Sequence, residues 1–306
     1  MHSTSYHEPV LLAEAVEVLI SDPNGVYIDG TLGGGGHSTA ILKALAPAGT
    51  LFGIDQDDDA LKTATARIND KRFHAVKGNF AYMDVLIPPS YRGRVSGILL
   101  DLGVSSYQID EGTRGFSFRE DGPLDMRMDS RTSRSAKAVV NEYSEADLVK
   151  ILFEYGEERF SRKIANAIIN RRPLETTSDL KKAVEAAVKG PHVVKSLARV
   201  FQAIRIEVNR EIEVLHQVLQ KSVSMLGPNG RLVAISYHSL EDRPVKHFMR
   251  SGNLEGVIEK DFFGHDIRPL EPFKPAMITP SEAEIQRNPR ARSAKMRIAY
   301  KPEEAS

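Results

Sequence analysis

Four consecutive glycines sit in the run Asp29-Gly-Thr-Leu-Gly-Gly-Gly-Gly-His-Ser38, and an acidic residue, Asp55, stands nineteen residues after the last of them. Glycine at a strand-to-helix junction lets a ligand approach the backbone and makes positive φ inexpensive. The helix that follows opens with unpaired N–H groups, and a carboxylate ending the next strand can accept both hydroxyls of a ribose. These residues predict a nucleoside-containing ligand above the carboxyl ends of the strands. A further acid, Asp101, closes the apolar run Gly97-Ile-Leu-Leu-Asp101 and is expected in the same crevice, although an acid there also suits the capping of a turn. Asn79-Phe80 is placed either to flank an adenine or to bury a core phenyl ring.

The dinucleotide fingerprint G-x-G-x-x-G/A fails here. Its third position falls on Ser38 when counted from Gly33 and on Thr39 when counted from Gly34. Asp29, just before the turn, would repel a pyrophosphate but suits a ligand carrying an ammonium group. S-adenosylmethionine, with an amino-acid ammonium and a sulfonium, is the expected cofactor. The chain has no cysteine, which excludes disulfides, thiolate-bound zinc or iron–sulfur clusters, and a cysteine nucleophile. Asp101 is the expected catalytic residue, with Ser105 and Asp125 as weaker candidates; Asp125 reads equally as a loop partner of Arg127. His238 could line a base pocket, though a histidine after a strand is more often a structural hydrogen-bonder. No metal site is expected from the histidine spacing.

The elements that must position these groups alternate. Short β-rich runs at 26–29, 50–55, 73–76 and 95–102 are separated by helical patterns at 37–45 and 58–68, with a further helix at 10–20. Such alternation predicts a parallel sheet with helices on both faces. From about residue 108 to 198 no convincing strand appears. Residues 111–129 read as a long loop, and three helical stretches follow at 144–153, 157–171 and 178–188. Phe201, Ile204, Val208, Ile212, Leu215, Leu219 and Val223 then step by three or four, as in one long helix. A fifth strand at 231–236, a helix at 239–249 and a last strand at 296–300 complete the pattern. The domains expected are a discontinuous sheet domain, 1–108 with 199–306, and an inserted helical domain, 109–198.

Lys+Arg and Asp+Glu each number 41, so bulk charge does not advertise a polyanion partner and any nucleic-acid surface must be local. Two segments supply that charge: residues 159–210 hold twelve basic side chains against four acidic, and residues 286–301 hold six basic and none acidic. No apolar run approaches the roughly 20 residues needed to span a bilayer, and the N-terminus lacks the basic start of a secretory signal. The expected compartment is the cytosol.

Several of these segments coincide with the motifs of one family. His7-Glu-Pro-Val-Leu-Leu12, the Asp29–Ser38 turn, Gly97-Ile-Leu-Leu-Asp-Leu-Gly-Val-Ser-Ser106, Arg114-Gly-Phe-Ser-Phe118 and Gly122-Pro-Leu-Asp-Met-Arg-Met-Asp129 occur in order. They continue with Tyr155-Gly-Glu-Glu-Arg159, Arg199-Val-Phe-Gln-Ala-Ile-Arg-Ile206, Ser236-Tyr-His-Ser-Leu-Glu-Asp-Arg243 and Asn288-Pro-Arg-Ala-Arg-Ser293. Nearly end to end, the chain resembles the bacterial small-subunit ribosomal RNA (cytosine-N4)-methyltransferases, the MraW/RsmH family. The resemblance implies an α/β, class I S-adenosylmethionine-dependent methyltransferase (Rossmann-like) sheet with an inserted all-helical, substrate-recognising domain. It implies N4-methylation of a cytidine in the decoding region of 16S rRNA, with the assembled small subunit as substrate. It carries the cofactor contacts to Gly35, Gly36, His37, Asp55, Phe80, Asp101 and Gln108. One departure from the wider class of amino-methyltransferases is Asp101-Leu-Gly-Val, where many of those enzymes have Asp/Asn-Pro-Pro-aromatic. Methyl transfer to another amine, or a vestigial RNA-binding assembly factor, are the alternative readings.

Overall fold

The computed structural model describes residues 9–103 and 114–303. The chain forms two compact units, 1–103 with 213–306 and 104–212. The first begins with α1 (Leu12–Leu19), β1 (Val26–Asp29), α2 (Gly36–Ala44), β2 (Thr50–Asp55), α3 (Asp58–Arg67), β3 (Phe73–Lys77) and β4 (Val95–Asp101). Helix α2 starts from Gly35 in the left-handed region, whereas α3 starts from Asp57, whose carboxylate accepts the N–H of Asp59. No helix among the described residues is long and apolar enough to cross a membrane.

The unit 104–212 contributes α4 (Ala136–Glu142), α5 (Glu145–Glu154), α6 (Ser161–Ile169), α7 (Thr177–Ala187) and α8 (Val193–Asn209). Ser135, Ser144 and Thr176 cap α4, α5 and α7, the last in a reciprocal box with Asp179. Helix α8 carries Leu197, Val200, Phe201, Ala203 and Ile204 into the buried core of this unit. The compact division therefore falls at 212 rather than at the expected 198. The helix read as continuous to Val223 is also broken, because Arg210 adopts φ 53 and separates α8 from α9 (Glu211–Met225). Both helices step by three or four, so periodicity alone runs through the break.

The chain returns to the first unit with most of α9, then β5 (Leu226–Ser236), α10 (Ser239–Ser251), a small hairpin of β6 (Glu259–Lys260) and β7 (Asp266–Ile267), β8 (Glu271–Ile278), α11 (Glu282–Arg287) and β9 (Lys295–Tyr300). The main sheet has the order β3-β2-β1-β4-β5-β9-β8. Its first five strands are parallel, and β9 and β8 are antiparallel additions. Side chains alternate between faces: Ile28, Ile98, Leu100 and Leu232 pack with Leu215 and Leu219 of α9, while Tyr27, Leu99, Val233 and Ile235 pack with Leu19 of α1 and Ile41 of α2. Burial on both faces explains why these strands read as unbroken apolar runs. The same alignment brings the ends of β1, β2 and β4 to one edge, and the loops that follow them carry the polar groups.

Candidate active site

The glycine-rich turn is tied to both neighbouring strands. Gly30 donates its N–H to the Leu99 carbonyl at 2.9 Å, Leu32 to that of Ile54 at 3.1 Å, and Gly33 to Oδ2 of Asp55 at 2.9 Å. At Gly35, φ is +75° and an added Cβ would sit 2.9 Å from Ile68 Cδ1 and 3.2 Å from Ala64 Cβ; at Gly36 it would sit 2.3 Å from Pro9 Cγ. These two glycines are thus required by the chain's own packing. Gly35→Ala adds left-handed strain and a clash, and should destabilise the fold by about 1–3 kcal/mol. Chemical denaturation checks this: wild-type stability in that variant would contradict the packing just described.

Asp29 differs from its expected role. Its carboxylate is 1% exposed, accepts the Ser38 hydroxyl at 2.7 Å and faces the N–H of Thr31 at 3.2 Å. Burial raises its pKa above the ordinary carboxylate value. It braces the turn from inside, and no part of it is presented to an ammonium group.

Asp55 ends β2 with its carboxylate half-buried. Oδ1 accepts the N–H of Asp57 and Oδ2 that of Gly33, each at 2.9 Å. Each oxygen keeps a second lone pair, so two acceptor positions remain, as the two hydroxyls of a ribose require. Burial pushes this carboxyl up to about 6 despite those two donors. Asp101 ends β4, is 23% exposed, and has its backbone N–H held by Thr31 Oγ1 at 2.6 Å. Its Oδ1 accepts the Tyr237 hydroxyl at 2.8 Å, and its Oδ2 lies 3.7 Å from His37 Nδ1. Burial pushes Asp101 to about 6 as well, against the opposing pull of His37 and of the Tyr237 hydroxyl. Burial, with the Asp101 charge adding to it, holds the Tyr237 phenol well above its usual range, so Tyr237 is a permanent donor. His37 is buried, with Nε2 3.2 Å from the Val10 carbonyl, which fixes its ring in the wall between turn and strand.

Two carboxylates whose ionisation is this poorly compensated suit a ligand that brings hydroxyl donors and positive charge. They do not suit a phosphate. That chemistry fits a sulfonium-bearing nucleoside.

The structure thus brings together Gly35, Gly36, His37, Asp55 and Asp101 in the first unit. Phe80 opens a short helical turn, partly buried against the core, and an added Cβ on Gly30 would lie 3.4 Å from Phe80 Cβ. Gln108 and Ser105 lie outside the described residues. Asp125 is paired with Arg127 through two hydrogen bonds of 2.8 and 2.7 Å. Burial pushes its carboxyl up, but the Arg127 contacts outweigh that and leave it below the ordinary value. His238 Nε2 stands 3.2 Å from Glu241 Oε1. The residues missed from sequence are Tyr237 and Thr31. Tyr237 follows β5, whose Ile235 is in register with Asp101, so a polar residue just past that strand end was the available signal.

The charged segments also resolve. Arg172 donates to the carbonyls of Val140 and Tyr143, Arg205 makes two 2.7 Å hydrogen bonds to Glu211, and Arg199 lies 3.9 Å from buried Glu158. Arg297 and Lys295 bond Asp242, and Lys301 bonds the carbonyls of Val223 and Leu226. These cations serve the fold. Arg159, Arg162, Lys163, Lys182 and Lys195 are exposed.

The model of the MraW methylase family matches residues 4–302. This chain belongs to the MraW methylase family. The motif resemblance therefore holds over nearly the full length, and the α/β methyltransferase class expected from it holds with the seven-stranded sheet. Among curated relatives of this family member, the ribosomal RNA small subunit methyltransferase H of Bacteroides fragilis strain YCH46 is 47% identical over 301 residues, covering 97% of this chain and 98% of its own. The protein of the same name from Chlorobium phaeovibrioides is 48% identical over 323 residues, covering 97% of each. A looser likeness is to a SAM-dependent O-methyltransferase structure from Thermotoga maritima, with a TM-score of 0.44 and 9% identity over 99% of this chain and 70% of that one.

Proposed function

We propose that this MraW methylase transfers a methyl group from S-adenosylmethionine to N4 of a cytidine in the decoding region of small-subunit rRNA, acting on the assembled small subunit in the cytosol. The observation that carries the reading is the pair of half-buried strand-end acids, Asp55 and Asp101, beside a glycine-rich turn; the names of the curated relatives direct it to ribosomal RNA. Gly35, Gly36, His37, Asp55, Phe80, Asp101 and Gln108 form the cofactor site in this proposal. The bound cofactor supplies an activated methyl group on a positively charged sulfur. Asp55 fixes the ribose. Asp101 takes the exocyclic amine: Oδ1 is held by Tyr237, so Oδ2 is the atom that accepts the amine hydrogen and draws the nitrogen lone pair out of the ring. A carboxylate raised to about 6 is a stronger base for that purpose than an ordinary one. Alignment of donor and acceptor at attack distance supplies much of the rate.

A base that reacts at its exocyclic amine must leave its stack, which a single-stranded loop permits. The exposed cations Arg159, Arg162, Lys163, Lys182 and Lys195 hold flanking phosphates in this reading. Mass spectrometry of rRNA nucleosides from a strain lacking the gene tests the proposal. N4-methylated cytidine should disappear from the small subunit and return on complementation; an unchanged level refutes the assignment. With purified protein, methyl transfer to small subunits should weaken steeply as salt is raised.

A further inference from the structure

The hairpin of β6 and β7 carries two phenyl rings into solvent. Phe262 is 98% exposed and Phe263 80%, and they meet edge to face at 5.7 Å. Val257, Ile258 and Ile267 beside them are also exposed, so this is a cluster and not the scattered apolar surface that every protein shows.

The tip is built to hold the rings out. Oδ1 of Asp261 accepts the N–H groups of Phe263 and His265, both at 2.8 Å, and the Asp261 N–H donates to the His265 carbonyl at 2.9 Å. Gly264, at φ +87°, completes the turn, and the His265 ring stands 3.0 Å from Asp261 Oδ2. A fixed loop loses little entropy on docking.

Charge decides between partners. Residues 255–271 contain five acids and two bases. Of the bases, Arg268 is spent on Glu271 at 2.6 Å and Lys260 lies 4.0 Å from Asp266; Arg250, outside the segment, reaches in to the Gly256 carbonyl. The segment is thus net negative, with Glu255 and Glu259 exposed, which repels a phosphate backbone and attracts a basic surface.

We propose that this hairpin is a docking element for a basic protein of the small ribosomal subunit, with Phe262 and Phe263 seated in an apolar socket on that protein. The proposal rests on the small-subunit reading above and adds a protein contact to it. The test compares wild type with the double variant Phe262→Ser, Phe263→Ser. Both rings are solvent-exposed, so thermal midpoint and cofactor binding should be unchanged. Binding to purified small subunits should weaken at least ten-fold, while binding to protein-free small-subunit rRNA should not. A photo-crosslinker at position 262 should give a protein adduct on the subunit. Equal subunit binding by both chains overturns the proposal. So do a parallel loss on protein-free rRNA with a crosslink to RNA, which would assign the rings to base stacking, and a crosslink to a second copy of the chain. Failure of the wild type itself to bind subunits would instead refute the substrate reading.

Discussion

Asp55→Ala should weaken S-adenosylmethionine binding by about 100-fold or more while leaving the protein folded. Two hydrogen bonds to a charged acceptor are removed, each worth roughly 1.5–3 kcal/mol. Asp55 also shows how function can oppose stability. Its carboxyl sits near 6 because burial penalises the charge. A raised acid contributes stability that is complete below its unfolded value and is lost as pH rises through the folded one. At neutral pH the ionised group therefore costs the unliganded fold, and the thermal midpoint of the cofactor-free protein should fall as pH rises through 6. The pH dependence has the opposite sign for the cofactor, since only the ionised carboxylate accepts both hydroxyls. Affinity should be flat above about pH 7 and fall as pH drops through 6, approaching ten-fold per pH unit for one group and steepening where Asp101 protonates too. Isothermal titration at stepped pH reads this directly. Normal cofactor affinity in Asp55→Ala, or a flat profile down to pH 5, would remove the ribose role.

The site was legible in sequence as far as strand ends are legible. Asp29, Asp55 and Asp101 each follow an apolar run buried on both faces, so their place at the carboxyl edge follows from pattern alone. Where each carboxylate points does not follow. Asp29 is turned inward because Ser38, one turn into α2, offers it a hydroxyl at 2.7 Å, a contact set by the course of the turn and not by spacing. Tyr237 was obscured for a related reason: its contact with Asp101 spans 136 residues of chain, which no local spacing reveals. Elsewhere the losses have local causes. Strand β8 holds Pro272 and Pro275, which argue against a strand, yet it lies at the sheet edge, where a missing N–H is tolerated, and its register shifts between Pro272 and Met277. Helix α4 is only 7 residues long, too short for a periodic signal, and is held by its Ser135 cap and by burial of Ala136, Val139 and Val140.

Asp101→Ala is the second large effect, expected to reduce kcat by roughly 100-fold or more, within the 10²–10⁴ range for a positioned proton acceptor. Loss of activity alone would not separate a proton acceptor from a mere prop, and Tyr237 supplies the separation. Its hydroxyl favours the ionised form of Asp101, so Tyr237→Phe removes a lowering influence and moves the Asp101 carboxyl above 6. The fraction of Asp101 that is ionised at pH 6.5 then falls, and the acid limb of the kcat profile should shift to higher pH. At pH 8 to 8.5, where Asp101 is ionised in either chain, the variant should recover most of its activity. The part of the cofactor-binding profile governed by Asp55 should keep its midpoint, because Tyr237 does not touch that group, and only the steeper part owed to Asp101 should move to higher pH. A structural role for Tyr237 would lower kcat by the same factor at every pH; that outcome, or an unchanged acid limb in Tyr237→Phe, would mean that Asp101 does not handle the amine proton.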